Sequence, residues 1–378
     1  MARKLVVGIT APGSVGLLTG QLAYFKSIGY NTYLLSPRSE RSQSFCSNEG
    51  CELLEVNMKR EISLFMDLIA LFKIILVFKK IKPDVVNLGT PKVSLLGMIA
   101  AYVLGVKRRI YTCRGLRYEH ESGAFKNMLV IMEKITCFCA TDIICISNSL
   151  KELGVRDKIF NSSKVSVIHK GSSNGFNLKV FNKNLFGNNQ KNQLRHKLGL
   201  DNFFVFGFLG RIIDRKGINE LYLAFIELYK HTKDIRLLIL GPAEENQIQN
   251  REILRLISNH EGIIWPGRTD EVPFHLSIMD VLVLPAWWEG FGNVLVQSAA
   301  MGVPVISTVG TGTRDAVKDG FNGILVPVKD SKGLFEAMKT MLYNNELRYH
   351  FGLNGIEWAK NFDNRIIWEG LHRLYQKN

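Results

Sequence analysis

Short runs of Val, Ile and Leu, each closed by Gly, Pro or a polar residue, alternate with longer amphipathic stretches along nearly the whole chain. This alternation narrows the fold more than any other feature. An apolar run of about four to eight residues reads as a strand covered on both faces, and strands separated by helices form parallel sheets. "KLVVGIT", "NTYLLSP", "CELLEVN", "DVVNLG", "RRIYTC", "DIICIS" and "KVSVIHKG" give a first set of strands. "FFVFGFLG", "IRLLILGP", "GIIWPG", "VLVLPA", "VPVIST" and "NGILVP" give a second. Residues 171–202 between them are rich in Asn, Lys and Gly, and read as a polar linker with a short helix at its end. The 378 residues suit two domains better than one. The expected organisation is two α/β domains, 1–170 and 171–355, followed by a terminal helix over 356–378 in which Trp358, Phe362, Ile366 and Trp368 have helical spacing. No internal repeat or low-complexity tract interrupts it.

With 46% hydrophobic and 22% charged residues the composition is globular. The net charge of +14 calls for anionic company: nucleic acid, acidic lipid or phosphorylated small molecules. No helix-turn-helix or RNP-type pattern is present, so nucleic acid is not expected. The six cysteines form no CxxC pair and no Cys/His ligand spacing, and are expected to be reduced core thiols of a cytosolic protein. "MARKLVVGIT" runs from basic residues straight into a strand, without the apolar core of a secretory leader. The most lipid-like stretches are 62–83, broken by Asp67, Lys73, Lys79 and Lys80, and 93–106, too short to span a bilayer. Each is either an ordinary core helix or a helix lying on an anionic membrane. In the second case Lys73, Lys79, Lys80 and Lys82 border the first, and Lys107, Arg108 and Arg109 follow the other.

Ligands of open parallel sheets collect at the carboxyl ends of strands, and two such sheets place the natural site in the cleft between them. Three clusters fall in such loops. In "TAPGSVGLLTG", Gly13 and Gly16 would let backbone amides approach an anion, although the spacing is neither GxGxxG nor a Walker loop and a tight βα turn is the plain alternative. In "FLGRIIDRKGINEL", Arg211 and Lys216 follow a strand and can neutralise a diphosphate, or can be solvated loop charges. In "PAWWEGFGNVLVQSAAMGVPVIS", the amides around Phe291, Gly292, Asn293, Val294 and Leu295 open a helix and favour an anion. Glu289 just before them would be repelled by phosphate and suits hydroxyl groups, while Gln297, two turns along, offers a donor and an acceptor. Hydroxyls, diphosphate and ribose in line are the layout of a sugar nucleotide. In "WPGR", Trp265 could border the base, and Arg268 is placed with the donor side; Trp287 and Trp288 either line the sugar or belong to the core.

The third cluster resembles the signature of glycosyltransferase family four, retaining enzymes of the GT-B fold. "LGRIIDRKG" is similar to that family's Arg…Lys pair, and "ISNSLKE" with "VIHKGSSNGFN" to its approach to the interdomain linker. The resemblance implies two Rossmann-like domains with parallel sheets facing across a cleft, and a C-terminal helix crossing back to the first. Within the family, residues 81–123 look most like enzymes of bacterial capsule, O-antigen and glycan assembly. By that resemblance Arg211 and Lys216 hold the donor diphosphate and Glu289 the donor sugar, these three being the catalytic set. Gly13, Gly16 and the loop from Arg114 to Glu119 face the reacting sugar on the acceptor side. The expected reaction moves a hexose or N-acetylhexosamine, with UDP as the expected nucleotide, to a polyprenyl-diphosphate-linked saccharide at the inner face of the cytoplasmic membrane. No cofactor is expected, and the lack of any Asp-x-Asp points away from a metal. Two positions depart from the family pattern: Gln297 stands for its second glutamate and Arg114 for its acceptor-side histidine. A nucleotide-sugar epimerase and a non-catalytic sugar-nucleotide-binding homologue are the alternatives.

Overall fold

The computed structural model describes residues 2–59 and 61–377 and divides the chain into two α/β units. The first runs to Gly175 and takes in the C-terminal stretch from Asn364; the second is Phe176–Asp363.

In the first unit the strands are β1 (Lys4–Gly8), β2 (Asn31–Ser36), β3 (Glu52–Glu55), β4 (Val85–Leu88), β5 (Arg108–Cys113), β6 (Asp142–Cys145) and β7 (Val165–Val167). They form one parallel sheet in the order β3-β2-β1-β4-β5-β6-β7. All four residues of β4 are buried, as a central strand sandwiched by helices must be. The helices are α1 (Gln21–Ser27), α2 (Glu40–Glu49), α3 (Leu64–Ile81), α4 (Pro91–Val103), α5 (Gly123–Cys139) and α6 (Asn148–Arg156). The 62–83 stretch is thus α3, and no helix among the described residues is long and apolar enough to cross a membrane. All six cysteines are free; Cys51 is partly exposed and the other five are buried.

The second unit repeats the plan. After α7 (Asn188–Lys197) come β8 (Phe204–Leu209), α8 (Ile218–His231), β9 (Ile235–Leu240), α9 (Glu252–Asn259), β10 (Ile263–Gly267) and α10 (Val272–Leu276). The chain continues through β11 (Val281–Leu284), α11 (Asn293–Ala300), β12 (Val305–Thr308), α12 (Thr313–Ala316), β13 (Gly323–Val326), α13 (Ser331–Tyr343) and α14 (Asn345–Ala359). The sheet order is β10-β9-β8-β11-β12-β13. In each sheet the strand order reverses once, between β1 and β4 and between β8 and β11. The loops that leave those strands diverge there and open a crevice at the carboxyl edge.

The tail differs from the single helix that its spacing suggests. α14 ends at Ala359, a 3-10 turn covers Lys360–Phe362, and α15 (Asn364–Gln376) starts afresh. Phe362 packs on Phe291 and Trp358 in the second unit. Ile367, Trp368, Leu371 and Tyr375 enter the core of the first with Leu5, Leu22 and Phe25. Trp368 Nε1 donates to Asn174 at 2.7 Å, and the buried Tyr375 hydroxyl accepts from Asn87 at 2.6 Å. Aromatic spacing continues across the turn, so periodicity alone hides the break.

Candidate active site

Three loops of the second unit meet at the carboxyl ends of β8, β11 and β12. The loop after β8 buries Ile212 and Ile213 and closes in a turn over Asp214–Lys216. Buried Asp214 accepts the Gln249 amide at 2.8 Å, which fixes that turn. Gly217 then caps α8 with φ of 73°, and a Cβ there would lie 2.0 Å from the Pro285 carbonyl oxygen, so only glycine lets the two loops touch. Across the contact the Trp287 amide donates to the Arg215 carbonyl at 2.8 Å. The Glu289 amide donates to the Thr311 carbonyl at 2.8 Å, and Trp288 pairs with Thr311 in a single parallel bridge. Gly312, at φ of 77°, lies so close to Glu289 that a Cβ would sit 2.2 Å from its carbonyl oxygen. The backbone around Glu289 is therefore held from both neighbouring strands.

The charges form two pairs. Lys216 Nζ contacts Glu289 Oε1, and Arg215 Nη1 stands 3.8 Å from the same oxygen. Arg211 Nη1 holds Glu244 at 3.0 and 2.8 Å, and Gln247 donates to that carboxylate as well. Lys216 and Glu289 side chains are only 13% and 15% exposed, so their attraction is poorly screened. Burial pulls the Arg215 guanidinium below its usual range, an effect that Glu289 partly offsets. Three cations face two carboxylates, leaving one net positive charge in a pocket edge that already fixes each group. Arg215 and Glu244 were not marked by sequence reasoning. Arg215 stood inside the quoted "RIIDRKG", but only the fold shows that Arg215 and Lys216 turn to Glu289 while Arg211 turns to Glu244.

Gly292 caps α11 at φ of 73°. The Leu295 amide donates back to the Gly292 carbonyl at 2.9 Å, so it is engaged within the turn, whereas the Val294 amide makes no hydrogen bond to another described residue. Phe291 is buried against Phe362, which anchors the turn. Asn293 lies at the first position of the helix, partly exposed, and Gln297 is partly buried without a side-chain hydrogen bond to any described residue. Trp287 is fixed by Nε1 to Glu220 at 3.1 Å with Lys329 over its ring; Arg215 lies over Trp288. Arg268 is exposed and tied to Asp270 at 2.8 Å, apart from these pairs.

In the first unit, the stretch read as a glycine loop is a 3-10 turn over Pro12–Leu18. Neither Gly13 nor Gly16 adopts a left-handed backbone; a Cβ on Gly16 would meet nothing within 4 Å, and one on Gly13 would make ordinary contact with Arg41 Nη1 at 3.8 Å. Arg114 follows β5 and donates from Nε to Ser173 at 2.6 Å. It lies flat over Gly89, where a Cβ would come within 1.6 Å of Nη1. That Nη1 is buried without a hydrogen-bond partner among the described residues, and burial pushes the guanidinium down to about 10. Glu119 sits in a 3-10 turn over Arg117–His120, 3.6 Å from His120. Thr10 and Thr90, missed by sequence reading, tie the loops after β1 and β4 through a hydroxyl contact of 2.8 Å. Among the described residues no His, Cys, Asp or Glu cluster has metal-ligand form.

The fold is that of the GT-B glycosyltransferases. Residues 190–358 match the family described as "Glycosyl transferases group 1", and residues 13–147 match "Glycosyl transferase 4-like". The capsular polysaccharide biosynthesis glycosyltransferase CapM of Staphylococcus aureus is 38% identical over 375 residues, 99% of this chain and 97% of that protein. The chain belongs to this glycosyltransferase family. An Escherichia coli UDP-Gal:alpha-D-GlcNAc-diphosphoundecaprenol alpha-1,3-galactosyltransferase is 29% identical over 288 residues, 74% of this chain and 71% of that one. The crystal structure of Anabaena Alr3699/HepE in complex with UDP and glucose superposes with a TM-score of 0.82 at 17% identity, covering 98% of each chain.

Proposed function

We propose that this glycosyltransferase moves a hexose or N-acetylhexosamine from a UDP-sugar to a polyprenyl-diphosphate-linked saccharide, with retention of anomeric configuration and without a metal ion. The observation that carries the reading is the Arg211, Arg215 and Lys216 cluster with Glu289, set at the start of α11. As the bond from the anomeric carbon to the diphosphate breaks, negative charge grows on the leaving phosphate. Arg211 and Lys216 exchange their carboxylate partners for phosphate oxygens, and the start of α11 adds its dipole. Glu289, released from Lys216, accepts hydrogen bonds from donor-sugar hydroxyls. The acceptor oxygen attacks the same face that the phosphate leaves, and its proton passes to the departing phosphate oxygen. No enzymic nucleophile is needed. Gln297 bonds the ribose hydroxyls as a neutral group.

In this reading the second unit binds the nucleotide sugar, with Arg268 at the edge of the base site, and the first unit presents the acceptor near Gly13, Gly16, Arg114 and Glu119. UDP and a lipid diphosphate acceptor are supported by the E. coli relative's substrate name. A capsule relative supports a role in capsular polysaccharide biosynthesis, which we place at the inner face of the cytoplasmic membrane. The test is product analysis with a short-chain polyprenyl-diphosphate saccharide and a panel of UDP- and GDP-sugars. The product should carry the donor's anomeric configuration by proton NMR, at rates unchanged by EDTA. An inverted product, or a glycosyl adduct trapped on Glu289, would overturn the same-face mechanism.

A further inference from the structure

Arg114 stands in the first unit as a cation without an anion. It follows β5 at the carboxyl edge of the sheet, and its guanidinium lies over Gly89, the residue after β4. A Cβ on Gly89 would come within 1.6 Å of Nη1, so a side chain there would push the guanidinium aside. Nε donates to the Ser173 hydroxyl at 2.6 Å. Nη1 is buried and unpaired, and Nη2, also unpaired among the described residues, is the nitrogen left open to solvent. Among the described residues no carboxylate pairs with Arg114. Glu119, in the same loop, stands 3.6 Å from His120, and the titratable side chains that act on Arg114 are those of Tyr111, Tyr375 and Cys113.

A second positive source adjoins it. α4, a helix of 13 residues, starts at Pro91 with Thr90 as its cap, directly after the Gly89 that carries the guanidinium. The Thr90 hydroxyl accepts from the Thr10 amide at 2.7 Å and caps no amide of α4. Pro91 has no amide proton, and the Lys92 amide makes no hydrogen bond to another described residue. A helix start carries about half a positive charge and favours anions. A cation beside it is repelled, and a buried cation is unfavourable without a charged partner. Gly89 and Ser173 nevertheless hold the guanidinium there, where a solvated arginine would swing away. An oxyanion that meets Nη2 and the start of α4 together completes the arrangement, and the arginine fork suits phosphate and carboxylate oxygens.

We infer that Arg114 and the start of α4 form an oxyanion subsite, which selects an acceptor carrying an anionic group close to the sugar that receives the transfer. The inference rests on the reading above in placing Arg114 on the acceptor side. Two sources share this chemistry: the diphosphate of a carrier-linked single sugar, and the carboxylate of a hexuronic acid in the acceptor. The test is calorimetric binding to the full chain, with UDP present and no sugar donor. The probes share an octyl chain, joined to N-acetylglucosamine through a diphosphate, joined to it directly as a neutral glycoside, or joined to glucuronic acid. An anionic probe should bind wild type about tenfold to a hundredfold more tightly than the neutral one. Arg114→Gln should remove that difference and leave UDP affinity unchanged. Gly89→Ala should also remove it, by displacing the guanidinium without deleting it, and Arg114→Lys should keep part of it. Because Arg114 is unpaired in the free chain, Arg114→Gln should melt no lower than wild type, and the anionic probe should raise the melting temperature of wild type alone. Equal affinity of wild type for neutral and anionic probes would overturn the inference, as would an Arg114→Gln chain that binds all three probes more weakly by the same factor. Preference for the diphosphate assigns the anion to the carrier, and preference for the glucuronide assigns it to the sugar. Since no transfer takes place in the assay, a chain that prefers the anionic probe but transfers nothing keeps this inference and fails only the transfer reading.

Discussion

Lys216 and Glu289 neutralise one another, so replacing either does more than remove a ligand contact. Lys216→Ala leaves a mostly buried carboxylate without its main partner and removes a cation from the leaving-group side. Loss of one preorganised charge donor costs about 10²–10³-fold in kcat. Steady-state kinetics should show that loss, with Lys216→Arg recovering part of it because the charge returns in a different shape. Gln297→Glu should act on binding instead. A charged acceptor on the ribose hydroxyls strengthens a neutral hydrogen bond by about 1 kcal/mol. Donor KM should therefore fall about threefold to tenfold with kcat little changed; an unchanged KM would remove Gln297 from the donor site. At this scale the sequence made Glu289, Arg211 and Lys216 legible as loop residues after strands. It could not tell that the two cations belong to different pairs, since that depends on the contact of Gly217 with Pro285 across two strands.

Within α5, Glu133 gives the fold a pH dependence. Burial raises its carboxyl to about 7, and the Tyr111 hydrogen bond at 2.9 Å offsets part of the rise. The folded chain then keeps a proton that the unfolded chain releases near the ordinary value of 4.5. Proton linkage makes this contribution constant below 4.5, falling as pH rises to about 7, and flat above it. Thermal melting between those limits should show the decline in wild type, and a smaller one in Glu133→Gln, which stays neutral throughout. Parallel curves would place the proton elsewhere. Strands were the most legible elements, because a doubly covered run of Val and Ile needs no partner to be read. The 3-10 turn at Pro12–Leu18 and the break at Lys360–Phe362 were not. The first looks like a glycine loop, and the second continues the aromatic period on either side.

Across the whole molecule, two alternating βα sets joined by a polar segment were enough to expect two parallel sheets. The sequence did not carry the return of α15 to the first unit as a derivable fact. That placement depends on Trp368 meeting Asn174 and Tyr375 meeting Asn87, contacts between residues far apart in the chain. Arg114 was legible as a departure from the family pattern, but its place over Gly89 at the start of α4 appears only when β4 and β5 lie side by side. The central claim is sugar transfer from a nucleotide donor to a lipid-linked saccharide, driven by the cluster at Glu289. Its most direct measurement is nucleotide diphosphate release with and without a short-chain polyprenyl-diphosphate saccharide, for wild type and Glu289→Ala. The account predicts acceptor-dependent release from one donor sugar, reduced at least about a hundredfold by the alanine. Donor binding with no acceptor-dependent release, or undiminished turnover in Glu289→Ala, would contradict it.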